Sequence, residues 1–172
     1  DLPEGRKGHI PSSDYYDRWY PNGGWRSTTT ISNSIGQGEI VMTPIQLANM
    51  MATVANRGYY YTPHIIKNIE HHEIDTRFTT KHVTTIDPKH FVPVVQGLHD
   101  VYNFGTGRSV QVEGIDICGK TGTVENFTRI NGKRYQLADH SVFVAFAPKD
   151  NPQIAIAVFI ENGVWGARWA AP

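Results

Sequence analysis

The chain has 172 residues, 40% of them hydrophobic, with 16 basic and 16 acidic side chains and a pI near 7.3. That length and composition suit one globular domain. The charge balance leaves no cationic excess for a nucleic-acid backbone, and no apolar run of about 18 residues is present that could span a bilayer.

Residues 1–34 are rich in Gly, Pro, Ser, Thr and aromatic side chains without a lasting helical period, which predicts an irregular lead-in. So long a lead-in either wraps a surface built by later residues or belongs to a chain cut from something larger. Its opening, Asp1-Leu2-Pro3-Glu4-Gly5, lacks the basic and apolar regions of a signal peptide.

A helix is predicted over 43–57. Thr43 serves as N-cap, Pro44 fits the first helical position and Gln46 completes a capping box. Leu47, Met50, Met51, Val54 and Ala55 recur at helical spacing and belong to the core, and Gly58 ends the helix. Between 59 and 86 the pattern turns β-branched and polar, with turn signals at Asp75-Thr76, which predicts one or two short peripheral strands. His71, His72 and Glu73 fall here, but adjacent residues on an extended segment face opposite ways, so no metal site and no cofactor are expected.

A second helix is predicted over 88–103, opened by Asp87-Pro88 and presenting Phe91, Val94, Val95, Leu98 and Val101 on one face. Gly105-Thr106-Gly107 closes it. These glycines follow the carbonyl end of the helix, the wrong end for a phosphate.

Antiparallel strands are predicted over 112–161. The alternation Ile115-Asp116-Ile117-Cys118 runs into Gly119-Lys120-Thr121-Gly122-Thr123, a strand with glycines in it. Glycine weakens a strand, so its presence there implies close approach of a backbone or ligand. A cation, two hydroxyls and bare amides in one groove suit an anionic or carbonyl-bearing ligand. Cys118 is the only cysteine, which excludes an internal disulfide and reads as a small core residue. Ile130-Asn131-Gly132-Lys133 is a hairpin signal, and 141–147 and 154–160, apolar on both faces, read as covered interior strands. The whole is an α+β fold: a three-stranded antiparallel meander, its first strand carrying the lysine, preceded by two helices.

Two motifs compete for Lys120. Gly114 to Thr121 satisfies G-x-x-x-x-G-K-[ST], but a phosphate-binding loop needs an apolar strand before its first glycine and a helix starting at its lysine. Here the spacer alternates like a strand, and Thr-Gly-Thr-Val and a hairpin follow. The other motif is the K-T-G box of penicillin-binding proteins and serine β-lactamases. Ile35-Gly36-Gln37-Gly38, Thr43-Pro44-Ile45-Gln46-Leu47, Ala55-Asn56-Arg57-Gly58, Gly105-Thr106-Gly107, Gly119-Lys120-Thr121-Gly122-Thr123 and Ala145-Phe146-Ala147-Pro148 together resemble the second half of a class B penicillin-binding transpeptidase domain. Asp139-His140 and Glu161-Asn162-Gly163 resemble the members that serve cell elongation.

The resemblance implies a partial penicillin-binding protein/serine β-lactamase-like transpeptidase fold, with residues 1–172 its C-terminal part. It implies a D,D-transpeptidase whose serine attacks the penultimate D-alanine carbonyl of a peptidoglycan stem peptide, releases the terminal D-alanine and passes the acyl group to an amine; penicillins trap that serine. By position, Lys120 would hold positive charge against the substrate carboxylate and the proton relay. Thr121 would donate to that carboxylate, and Gly122 and Thr123 would line the substrate, with the Thr123 amide as half of the oxyanion hole. Strict alternation sets Lys120 and Thr121 on opposite faces, so both reach one ligand only from a sheet edge beside the cleft. The family's S-x-x-K and S-x-N are matched nowhere in these 172 residues, so this chain alone is expected to be inactive.

Implied partners are stem peptides, β-lactams, a SEDS-family glycosyltransferase and elongation-complex proteins. The implied place is the periplasmic side of the bacterial cytoplasmic membrane, with the anchor outside this chain. A non-catalytic scaffold of the same fold and a serine β-lactamase are the alternatives. Missing cover for the strands predicts exposure of Val142, Val144, Ile154, Ile156 or Val158, or self-association.

Overall fold

The computed structural model describes residues 5–172. The irregular lead-in expected over 1–34 gives way to two helices, α1 (Ser13–Trp19) and α2 (Ser27–Ser34). Ser12 caps α1 by accepting the Tyr15 N–H, with Asp14 in the first turn and Arg18 in the last, the charge order a helix dipole favours. What conceals α1 in the sequence is its core, which is aromatic: Tyr16, 3% exposed, stacks on Trp25 at 5.5 Å. The Tyr16 hydroxyl donates to Glu39 Oε2 at 2.7 Å and accepts from Asn33 Nδ2 at 2.8 Å, tying α1, α2 and the loop after them together. Burial first of all raises the Tyr16 pKa, keeping the hydroxyl a donor.

Helix α3 (Pro44–Ala55) has the reciprocal capping box of Thr43 and Gln46. Its end turns through Arg57 and Gly58 at φ +60° and +110°, where a side chain on Gly58 would press on Phe91 and Thr84 at 3.0 Å. Strands β1 (Tyr59–Tyr60) and β2 (His82–Val83) pair antiparallel, enclosing a peripheral excursion. Asp75-Thr76, a turn signal in the sequence, instead caps and starts the short α4 (Thr76–Thr79). His71 sits at φ +61°, 3.6 Å from Glu70. A 3₁₀ turn, Pro88–His90, capped by Asp87, feeds α5 (Phe91–Asn103).

The sheet has the order β3 (Cys118–Val124), β6 (His140–Ala147), β7 (Ile154–Ile160), all antiparallel. Between β3 and β6 stands a separate hairpin, β4 (Phe127–Ile130) and β5 (Lys133–Gln136), whose Asn131 and Gly132 both take positive φ as its two-residue turn demands. One sheet face carries Cys118, Val144 and Phe146 against Met51 and Ala55 of α3 and Val95 of α5. The other carries Phe143 and Ala145 against Tyr102 of α5 and Ala170, just after α6 (Gly166–Trp169). Burying each such phenylalanine contributes about 1.5–3 kcal/mol, which makes β6 the centre of the core. Cys118 is fully enclosed, and burial pushes its thiol up to about 11, the behaviour of a packing residue.

Several expectations are corrected. The strand predicted from Ile115 begins at Cys118, because Gly114 at φ +78° and the Ile115 N–H bonded to Val112 O form a turn; Ile117 still packs against the second core cluster. Met50 and Val94 face outward, 42% and 49% exposed, because Met51 and Val95 take the inward positions. Strand β7 is not covered on both faces: Ile154, Ile156 and Phe159 are exposed, whereas Val142, Val144 and Val158 are at least half-buried. Among the described residues β7 pairs on one side only.

Candidate active site

Strand β3 is built by two different glycines. A Cβ on Gly119 would come within 2.8 Å of Val144 O and 3.0 Å of Ala145 Cβ, so glycine there lets β3 lie tight on β6. A Cβ on Gly122 would meet nothing closer than Val142 Cβ at 3.4 Å. A Cβ on Gly122 would therefore find room, although its backbone is approached closely by α6, where a Cβ on Gly166 would lie 2.6 Å from Gly122 O.

Among the described residues β3 is a sheet edge, with β6 on one side only. Along its other side, Thr121 O accepts from Lys120 Nζ at 2.7 Å and Thr123 O accepts from Gln37 Nε2 at 3.2 Å. In an antiparallel strand a residue's N–H and C=O point the same way. Thr121 and Thr123 thus turn their N–H groups away from β6, toward the open edge.

This geometry resolves the difficulty that alternation raises. Lys120 and Thr121 start on opposite faces, but the lysine stem bends back along the strand and delivers its ammonium to the same edge. Lys120 is exposed and has no carboxylate partner among the described residues, so two of its three donors remain for a ligand. Thr121 Oγ1 stands 2.8 Å from Thr106 Oγ1 in the loop after α5. Cation, paired hydroxyls and outward amides share one open edge, able to hold a carboxylate and polarise a carbonyl. A phosphate-binding loop is excluded here, because Lys120 lies inside a strand and no helix begins at it.

The family described as the penicillin binding protein transpeptidase domain matches residues 2–172. This chain belongs to the penicillin-binding protein transpeptidase family. The peptidoglycan D,D-transpeptidase MrdA of Acinetobacter baumannii is 36% identical to it, over 99% of this chain and 27% of the relative. The crystal structure of Pseudomonas aeruginosa PBP2 in complex with WCK 5153 superposes with a TM-score of 0.77 at 36% identity, covering 96% of this chain and 34% of that one. Helicobacter pylori PBP2, in its complex with MreC, gives 0.76 at 25% identity over 96% of this chain and 29% of that one. The chain thus spans about three-tenths of the length of the relatives it matches.

Within this penicillin-binding protein domain Lys120, Thr121, Gly122 and Thr123 are consecutive residues of the edge strand β3. The structure adds two residues to which the sequence assigned no role, Gln37 and Thr106, which reach β3 from segments 86 and 15 residues away. Both lie in segments that carry the family resemblance, Ile35-Gly36-Gln37-Gly38 and Gly105-Thr106-Gly107, which in sequence mark the segment but not the task of its central side chain.

Proposed function

We propose that this chain forms the lysine-strand wall of a peptidoglycan D,D-transpeptidase that cross-links stem peptides and is acylated by penicillin. The observation that carries the reading is the open edge of β3, where Lys120 Nζ and the outward Thr121 and Thr123 backbones lie together. The attacking serine would come from another part of the whole protein. Its oxygen bonds to the penultimate D-alanine carbonyl, the peptide C–N bond breaks, and the terminal D-alanine leaves with a proton. An amine of a neighbouring strand then displaces the serine to complete the cross-link. In this cycle Lys120 holds the substrate carboxylate and favours loss of the serine proton, and Thr121 donates to the carboxylate. The Thr123 N–H steadies the negative charge that develops on the carbonyl oxygen; removing one such donor slows serine hydrolases by about 10²–10³.

The PBP2 relatives support a role in cell elongation at the periplasmic side of the cytoplasmic membrane, anchored by sequence outside these residues. None of the helices described is long and apolar enough to cross a membrane. The MreC complex of the Helicobacter pylori relative supports an elongation-complex partner, and a SEDS-family glycosyltransferase is the expected enzymatic one. A fluorescent penicillin should label the whole protein covalently and leave this 172-residue chain unlabelled. Hydrolytic turnover of the drug without a lasting adduct would instead indicate a β-lactamase, and an inert whole protein a scaffold.

A further inference from the structure

Beyond the lysine strand itself, we infer that Gln37 is a positioning residue that fixes Thr123 on the open edge of β3, and with it the Thr123 N–H. The inference rests on the transpeptidase reading of that edge. Gln37 Nε2 donates to Thr123 O at 3.2 Å, on the side of the strand where no sheet partner holds the backbone among the described residues. Thr123 O and Thr123 N–H flank the same α-carbon and point the same way, so a tether on the carbonyl limits rotation of the amide as well.

The loop that carries Gln37 is built to present it. Gly36 and Gly38 both stand in the left-handed region, at φ +77° and +73°, and a Cβ on Gly38 would lie 2.7 Å from Asn33 Oδ1. The Gln37 N–H bonds Ser32 O at 3.0 Å and the Gly36 N–H bonds Asn33 O at 2.9 Å, pinning the loop to the end of α2. Glu39, at its far end, accepts from the buried Tyr16. Gln37 is half-buried between two exposed glycines. The aromatic N-terminal segment thus acts as a bracket whose working tip is one amide.

The test uses penicillin acylation of the whole protein, with the initial binding constant and the acylation step measured separately. Gln37→Ala should slow the acylation step about tenfold, the scale of one lost hydrogen bond of slightly over 1 kcal/mol, with little change in initial binding. Gln37→Glu provides a readout that a merely structural role would not move. An ionised carboxylate cannot donate to Thr123 O, but a protonated one can, so its rate relative to wild type should rise as pH falls toward about 4–5, while the Ala ratio stays flat. If the Ala variant loses thermal stability, the Glu ratio decides: a rise at low pH supports the inference and a flat ratio overturns it. Wild-type acylation with both variants at wild-type rates at every pH overturns the role of Gln37 alone. Failure of the wild-type protein to acylate overturns the transpeptidase reading and this inference with it.

Discussion

At the scale of single residues, the two glycines of the lysine strand do different jobs, and substitution separates them. A methyl at Gly119 must push into Val144 O and the Ala145 methyl, which are held in the centre of the sheet. Gly119→Ala should therefore cost about 1–3 kcal/mol, read as a fall in the thermal midpoint. Gly122→Ala meets only ordinary contact with Val142, so its midpoint should stay near wild type while acylation of the whole protein by penicillin slows. Equal stability losses at the two positions, or full acylation of Gly122→Ala, would contradict this division. The sequence marked both as glycines within a strand. It could not say at which of them the sheet leaves no room for a side chain, because that depends on the residues opposite, Ala145 and Val142, brought together only by the register.

At the scale of elements, what was legible followed local chemistry. The start of α3 is written in Thr43-Pro44-Ile45-Gln46, and the structure returns both halves of its capping box. Thr43→Ala should cost about 1 kcal/mol and lower the midpoint by about 2–4 °C; no measurable shift would mean that Gln46 alone satisfies the helix end. The β4–β5 turn was equally plain, because Asn131 and Gly132 tolerate the positive φ it requires. Illegible were α1 and α2, whose partners are aromatic rings and the distant Glu39 rather than an aliphatic stripe. The start of β3 was displaced for a similar reason: Ile115-Asp116-Ile117 alternates like a strand, yet Gly114 turns the chain before pairing with β6 begins. Two-faced apolarity was also ambiguous. It signalled an interior strand correctly for β6 and incompletely for β7.

At the scale of the whole molecule, the open side of β7 has consequences. Ile154 is 60% exposed and Phe159 43%, beside a strand edge without a partner among the described residues. An apolar cavity of about 390 Å³, lined by Tyr102, Phe143, Ala145 and Ile156 among others, opens on the same sheet. Apolar surface and free backbone groups together favour association. The isolated 172-residue chain should bind a hydrophobic-surface dye and self-associate in static light scattering; a clean monomer that binds no dye would count against this.

The lysine strand lies at the opposite edge of that sheet and anchors the central claim, that Lys120 to Thr123 form one wall of a transpeptidase site whose serine lies elsewhere in the protein. Intact-mass measurement of penicillin acylation tests it most directly, on the whole protein, on its Lys120→Ala variant and on this chain. The account predicts one covalent penicillin per whole protein, acylation slowed at least a hundredfold by Lys120→Ala, on the order expected for loss of a charge-stabilising catalytic group, and no adduct on the 172-residue chain. An adduct on the chain alone, or a Lys120→Ala protein acylated at the wild-type rate, would contradict it.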